Sequence, residues 1–180
     1  VSCGVESFGH EALGEGYQHY DSWLNGLTSH DDMWRARFIE SPVAHPSTMV
    51  RADIFQTANG YRDEGWPEDY DLWLRLFEIG VRFAKVPNVL LRWRDHPLRT
   101  SRVDSSYSAM AFLKCKVSHL LSGPLKDVSH VRIWGAGHWG GKLGRLLLDA
   151  GRTIECFIDI DARKIGRSRH GVPVVSPVSI

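Results

Sequence analysis

Long apolar runs are missing from this sequence. Its uninterrupted apolar stretches, such as Val89-Leu90-Leu91 and Leu146-Leu147-Leu148, are only a few residues long. A bilayer-spanning helix needs ~20, so no transmembrane segment is expected. Excess charge is missing too. With 22 basic and 21 acidic residues the net charge is +1, which supplies no general field to draw in nucleic acid or an acidic membrane surface. Nucleic acid is therefore not an expected partner. Cysteine is scarce: Cys3, Cys115 and Cys156 are odd in number, far apart and without a C-x-x-C pair, which argues against a disulfide framework or a zinc cluster. The setting expected from this is reduced and cytoplasmic, with peripheral attachment to the inner face of the membrane as the one form of membrane association considered. The opening Val-Ser-Cys-Gly-Val-Glu has neither the basic nor the apolar region of a secretion signal, and the chain is expected to begin inside a domain. Internal repeats and low-complexity tracts are also lacking.

What is present is the composition of a folded protein, 43% apolar and 24% charged. Charge divides along the chain: residues 1–130 hold 14 basic and 17 acidic side chains, whereas 131–180 hold 8 basic and 4 acidic. The segment Ser122-Gly123-Pro124-Leu125-Lys126-Asp127 combines a helix-stopping Gly with Pro, and it separates an expected first domain, 1–124, from a second, 125–180. Within the first, Tyr17, Tyr20, Leu24 and Leu27 recur at helical spacing, and Ser29 stands three residues before Asp32 as a capping pair for a helix through Arg37. Pro42 to Val50 reads as extended, Asp53 to Ala58 as a short helix stopped by Asn59-Gly60. Pro67 to Ile79 reads as a stronger helix, with Pro67 at its first position and Glu68 and Asp69 at the positive end of its dipole. Its apolar stripe is Leu72, Trp73, Leu76 and Phe77, and Gly80 terminates it. Arg82–Val86 and Asn88–Arg94 read as short strands divided by Pro87, and Ser106–Leu121 as a helix. In the second domain, strand Val131–Trp134, a turn over Gly135 to Gly140, helix Gly141 to Ala150 and strand Thr153–Ile158 make a β-α-β unit, followed by one more strand at Val172–Val175.

The most informative stretch runs from Gly60 through Trp66-Pro67-Glu68-Asp69-Tyr70-Asp71-Leu72-Trp73-Leu74-Arg75-Leu76, then Val86-Pro87, then Leu91-Arg92-Trp93-Arg94-Asp95-His96. It resembles the C-terminal half of a family 2 glycosyltransferase of the GT-A fold. In that family such an acidic helix start and a later R-x-H strand end face the donor site. Ser41-Pro42-Val43-Ala44-His45-Pro46-Ser47-Thr48-Met49-Val50-Arg51 resembles the segment before them, and the likeness covers roughly residues 29 to 102. The family's N-terminal half, with nucleotide-binding strands and an Asp-x-Asp metal motif, has no counterpart here. Asp159-Ile160-Asp161 matches that motif literally but falls in the wrong order along the chain, and is not read as the donor-site metal motif. The resemblance therefore implies a transferase parent and an isolated 180-residue piece with little activity.

The chemistry such an enzyme needs matches these residue types. An acceptor hydroxyl must lose a proton as it attacks the anomeric carbon, and a carboxylate is a suitable general base. Asp69 is the candidate. Glu68 is its neighbour and could instead position the acceptor or Asp69, and spacing alone does not separate the two. The departing diphosphate gathers negative charge, which a divalent cation (Mg or Mn) and basic groups would stabilise. His96 is the candidate metal ligand, and Arg94, two residues earlier on the same strand face, the candidate basic group. Trp66 is a candidate platform for a sugar ring. His45 is read first as a hydrogen-bonded turn histidine, Asp71 as a structural helix residue paired with Arg75, and Trp73 and Trp93 as core.

Gly135-Ala136-Gly137-His138-Trp139-Gly140 fits G-x-G-x-x-G between a strand and a helix. Gly135, Gly137 and Gly140 would let backbone N–H groups approach a phosphate, and Asp159 would meet a ribose hydroxyl. Residues 131–175 resemble the nucleotide-sugar or CoA-binding-like Rossmann domains of some sugar O-acetyltransferases. The other reading of the same glycines is close helix–strand packing. His138 and Trp139 occupy positions where small residues would leave more room for phosphate. The fold expected is α/β, a partial GT-A-like domain followed by a truncated Rossmann-like β-α-β unit. The function expected is sugar transfer from a nucleotide-sugar donor to a glycan or lipid-linked acceptor, with inversion. A non-catalytic nucleotide-binding module and, third, an NAD(P)-dependent oxidoreductase are the competing readings.

Overall fold

The computed structural model describes residues 1–9 and 13–179. The fold is α/β, and the chain divides into two compact units, Val1–Phe112 and Leu113–Ile180, with the division inside one helix.

In the first unit, strand β1 (Ser2–Phe8) is followed by helices α1 (Glu15–Gly26) and α2 (His30–Ala36). The Ser29–Asp32 pair forms a full capping box at the start of α2, which satisfies two backbone donors that a helix start would otherwise leave open. A 3₁₀ turn, His45–Ser47, interrupts the stretch that reads as extended in the sequence. Ser47 Oγ and Thr48 Oγ1 both donate to the Ala44 carbonyl, at 2.7 and 3.0 Å, so local side-chain bonds outcompete extension there. Helix α3 (Ala52–Thr57) stops at Asn59 and Gly60, both in the left-handed region with φ near 59°.

Helix α4 (Glu68–Glu78) has Pro67 at its N-cap, one position before the expected place. Its stripe Leu72, Trp73, Leu76 and Phe77 joins Met33, Val43 and Ala58 in the buried core of this unit, and Gly80, at φ 78°, ends it. A buried Arg75 holds the α3 end against α4. Its Nε donates to Asp71 at 2.7 Å, its Nη2 donates to the Gly60 carbonyl at 2.7 Å, and its Nη1 donates to the Ala58 carbonyl.

Strand β2 (Lys85–Arg94) pairs in parallel with β1, from Ser2 opposite Lys85 to Phe8 opposite Arg94. The two short strands expected here are one strand, beginning three residues later than Arg82, with Pro87 inside it. The ladder accommodates a residue with no N–H by a bulge: Cys3 faces Val86, Gly4 faces Val89, and a Cβ on Gly4 would come within 3.0 Å of the Asn88 carbonyl oxygen. β1 itself carried no expectation, because its sequence alternates weakly and its pairing partner lies some 80 residues away. After β2 come a short helix α5 (Thr100–Val103), a 3₁₀ turn Ser105–Tyr107 and helix α6 (Ala109–Ser122). The single helix expected from Ser106 therefore starts later, because Asp104 caps the 3₁₀ turn by accepting from the Ser106 N–H at 2.8 Å.

The second unit has strands β3 (His130–Trp134), β4 (Thr153–Ile158), β5 (Ser168–Arg169) and β6 (Val172–Val175), in sheet order β3-β4-β6-β5. β3, β4 and β6 run parallel, and β5 forms an antiparallel hairpin with β6. Helix α7 (His138–Asp149) links β3 to β4, giving the expected β-α-β unit. Ile133, Leu147, Ile154, Phe157, Val174 and Val117 form its core. Gly144 makes this packing possible, since a Cβ there would lie 2.7 Å from the Phe157 ring.

Candidate active site

The acidic start of α4 opens into a cavity of about 860 Å³ in the first unit. Several elements build its wall. α4 contributes Glu68 and Asp69, the end of β2 and its continuation contribute Trp93, Arg94, His96 and Arg99, α1 contributes Tyr17 and Tyr20, and the 3₁₀ turn contributes His45. The parallel pairing of β1 with β2 carries Arg94 and His96 to the rim, while the core stripe of α4 fixes the rotation of its first turn.

The two adjacent acids meet different surroundings. Glu68 faces Tyr107, whose hydroxyl lies 2.9 Å from Oε1 and 2.8 Å from Oε2 and donates to the carboxylate. Asp69 is mostly buried, with 14% of its side chain exposed. Its Oδ1 accepts the Tyr70 N–H at 2.7 Å, and its Oδ2 lies 3.6 Å from His45 Nδ1. Burial pushes the Asp69 carboxyl above the usual range, and Glu68 adds to this, while His45 and the Tyr70 N–H pull the other way. A carboxylate so placed is a stronger proton acceptor than one in water.

His45 sits in the turn that its sequence context suggests, and it also reaches the cavity. Its Nε2 lies 2.8 Å from the Tyr61 hydroxyl, and its ring packs edge-on against Trp73. A smaller cavity of about 410 Å³, lined by Phe55, Tyr61 and Trp73, lies on its other side and shares His45 and Pro46 with the first.

Arg94 and His96 both line the cavity, the first exposed and the second half-buried. Between them Asp95 turns away. Arg102 chelates it at 2.6 and 3.0 Å and Arg99 donates at 3.3 Å, and these bonds hold the Asp95 carboxyl down at about 2. Arg99 also stacks over Trp93, 4.5 Å from the ring centre. Trp66 is not on the wall of the cavity. Its indole N–H donates to Asp71 Oδ1 at 3.3 Å, completing the Asp71–Arg75 network behind the site. Tyr107, Tyr61 and Arg99 carried no sequence expectation, and the visible signal for Arg99 is the Asp95-Arg99-Arg102 spacing, an acid followed by two bases that reach back to it.

A divalent cation needs several ligands at once. Among the described residues, no three carboxylate, imidazole or thiolate groups of this cavity converge within coordinating reach. His96 offers one nitrogen, and Glu68 and Asp69 are engaged by Tyr107 and His45. The cavity's own side chains do not make a complete metal centre.

In the second unit, Asp159 is committed to the fold. Its Oδ2 accepts the Ala136 N–H at 2.8 Å and Lys164 Nζ at 3.0 Å, and its Oδ1 accepts the Asp161 N–H at 2.9 Å. The two backbone N–H groups and then Lys164 lower its carboxyl to about 2. Asp159 thus closes the glycine turn from below. Gly140 is demanded by packing, since a Cβ there would lie 1.8 Å from the Gly135 carbonyl oxygen, and Gly135 is at φ 103°. Gly137, the N-cap of α7, is different: a Cβ there would meet nothing within 4 Å.

Comparison with known proteins gives three partial matches. The chain is 33% identical over 95 residues to "Putative glycosyltransferase EpsE" of Bacillus subtilis (strain 168), covering 51% of this chain and 34% of that protein. It is 32% identical over 66 residues to the amylovoran biosynthesis glycosyltransferase AmsE of Erwinia amylovora, covering 37% and 25%. It is 34% identical over 74 residues to the O-antigen biosynthesis glycosyltransferase WbnJ of Escherichia coli, covering 40% and 27%. The chain therefore spans between a quarter and about a third of the length of these relatives. No protein-family model matches it, and no solved structure does.

Proposed function

We propose that this chain is the acceptor-side part of a glycosyltransferase that moves a sugar from a nucleotide-sugar donor to a glycan or lipid-linked acceptor, with inversion, and that Asp69 is its general base. The observation that carries this reading is the single cavity shared by the acid pair, Arg94, Arg99 and His96. The likeness to three glycosyltransferases, two of them named for polysaccharide biosynthesis, supports it.

In this reading the acceptor O–H gives its proton to Asp69 as its oxygen bonds to the anomeric carbon. The bond from that carbon to the diphosphate breaks, and its electron pair leaves with the diphosphate. Arg94, on the wall of the same cavity, is assigned to offset the charge that gathers there. Asp69 and not Glu68 is the base because the two carboxylates differ in what they touch. Glu68 accepts from Tyr107 on both oxygens, whereas Asp69 is held at one oxygen by the Tyr70 N–H and turns the other toward a neighbour 3.6 Å away. The residues of this cavity do not complete a site for the divalent cation expected from the resemblance, so no step is assigned to it, and His96 is proposed only as one of its ligands. Direct displacement with one base inverts the anomeric centre, which is why inversion goes with this assignment.

The second unit supports a separate binding reading through one observation, the open space over Gly137 at the start of α7, where N–H groups could meet a phosphate. The expected domains, 1–124 and 125–180, assign sugar transfer to the first and this Rossmann-like unit to the second. No described helix is long and apolar enough to cross a membrane. The test of the main reading is Asp69→Asn in the full-length protein. Transfer should fall by about 10³-fold or more while donor affinity stays within about twofold, because a base is lost and not a binding group. Unchanged transfer would remove Asp69 from the mechanism.

A further inference from the structure

We propose that His45 is a positioning residue for the general base, its Nδ1–H directed at Asp69 Oδ2 and its Nε2 held by the hydroxyl of Tyr61. This inference rests on the assignment of Asp69 as the base and goes beyond it by adding two residues that act through Asp69.

The hydrogens are assigned as the chemistry of each group allows. An ionised carboxylate only accepts, so the nitrogen facing Asp69 must carry a hydrogen. That nitrogen is Nδ1, 3.6 Å from Oδ2. In the neutral ring Nε2 is then the acceptor, and the Tyr61 hydroxyl, 2.8 Å away, is its donor. Tyr61 can serve because a phenol keeps its O–H at neutral pH, and burial with the nearby Asp69 and Glu68 raises it further. In this assignment Tyr61 donates to His45, and the His45 Nδ1–H faces Asp69 Oδ2 in an electrostatic contact of 3.6 Å, longer than a hydrogen bond. The arrangement is built on rigid supports. His45 lies in a turn fixed by Ser47 and Thr48, its ring is braced edge-on by the buried Trp73, and Tyr61 is braced by Phe55.

The other groups facing Asp69 make the need for His45 clear. From its own helix Glu68 acts on Asp69 directly, and the same cavity wall carries Tyr20 of α1, Glu40 of the segment before the turn, Tyr107 of the 3₁₀ turn after α5, and Arg94, His96 and Arg99 of β2 and its continuation. Tyr20 and Tyr107 are pushed up mainly by burial and stay neutral. Glu68 and Glu40 are acids. Among the described residues, the one cationic or cation-capable side chain with an atom within 4 Å of the Asp69 carboxylate is His45. It therefore works against the burial that raises the Asp69 carboxyl, by turning the positive end of its Nδ1–H toward Oδ2. The proton taken from the acceptor stays on Asp69, and His45 keeps its own hydrogen throughout.

Two measurements separate this inference from the reading beneath it. Carboxyl-selective ¹³C NMR titration of the 180-residue chain reads Asp69 directly, without requiring activity. His45→Leu should move the Asp69 midpoint upward by about one pH unit, a tenfold change in proton affinity. His45→Asn, whose amide N–H falls near Nδ1, should restore most of it. Tyr61→Phe, at an exposed position that the fold does not depend on, should give a smaller upward move. In the full-length protein the acidic limb of the kcat profile should move in the same direction and order, with KM for the donor changed by less than about twofold. An unmoved Asp69 midpoint in folded His45→Leu and Tyr61→Phe chains overturns the pairing. Retained transfer by Asp69→Asn overturns the general-base reading, and with it any role of His45 in transfer, whatever the titration shows.

Discussion

Replacing Arg75 by Met tests the network that supports the site from behind. The Arg75 and Asp71 side chains are only 7% and 3% exposed, and the guanidinium donates to Asp71 at 2.7 Å and to the carbonyls of Ala58 and Gly60. Methionine fills much of the same volume but donates nothing. Asp71 would lose the guanidinium that donates to it, and the carbonyls of Ala58 and Gly60 at the turn after α3 would lose their Arg75 donors. Breaking a buried pair by removing one partner costs about 3–5 kcal/mol, a large share of the 5–15 kcal/mol that holds a domain together. At about 4 °C per kcal/mol for a unit of this size, the first unit's Tm should fall by ~12–20 °C. Hydrogen exchange of peptides covering residues 58–78, followed through a thermal or urea series, reports this unit apart from the second. The double variant Asp71→Leu, Arg75→Met should lose at least about 1 kcal/mol less than the two single losses added together, because the two side chains are directly paired and each single variant already breaks the same bond. A single-variant loss below about 1 kcal/mol would show that water or a neighbour solvates Asp71, and the argument that Arg75 anchors Gly60, and through it Tyr61, would fail.

Two further outcomes concern the second unit. Gly140→Ala should destabilise it by about 3 kcal/mol or more, since its Cβ would lie 1.8 Å from a backbone oxygen that cannot move aside cheaply. Gly137→Ala should cost no more than about 1 kcal/mol, the ordinary price of a poorer N-cap, and equal losses in urea unfolding would contradict the packing account of this turn. Asp159 has a folded carboxyl lowered to about 2 by backbone donors and Lys164. Its stabilising contribution is therefore complete above the unfolded value near 4 and is lost as pH falls from there toward 2. Asp159→Asn should flatten the acid limb of this unit's stability curve in that window, as read by near-UV circular dichroism, and an unaltered limb would refute the assignment.

Local rules account for much of what the sequence reveals. The Ser29–Asp32 capping box, the Asn59-Gly60 stop, the α4 stripe and the β-α-β unit each depend on residues within a few positions of one another, and each is found. What the sequence hides depends on distant partners. β1 becomes a strand by pairing with β2, and Pro87 stays inside β2 because a bulge opposite Gly4 absorbs it. Neither event is visible in a window of ten residues. The same holds at the site, where Tyr107 reaches Glu68 across 39 positions and His45 reaches Tyr61 across 16. Trp66, attractive as a ring platform on composition alone, is directed to Asp71 by a hydrogen bond that only the folded chain discloses.

The separation of the two acids follows from helix geometry. Successive residues on a helix point about 100° apart, so an adjacent Glu-Asp pair in the first turn of α4 must face different neighbours. The rotation of that turn is not free, because Leu72, Trp73, Leu76 and Phe77 lock the stripe into the core. With the stripe fixed, Glu68 points to the tyrosine that follows α5 and Asp69 points to the histidine of the earlier turn. The core thus selects which carboxylate becomes the buried, raised and histidine-facing one. A substitution that turns the helix by one residue, or that shifts its stripe, would exchange these surroundings without altering either acid. Core variants of α4 such as Leu72→Ala are therefore expected to reduce transfer beyond what their loss of stability explains, and a variant that remains folded with full transfer would show that the acids are placed by something other than the stripe.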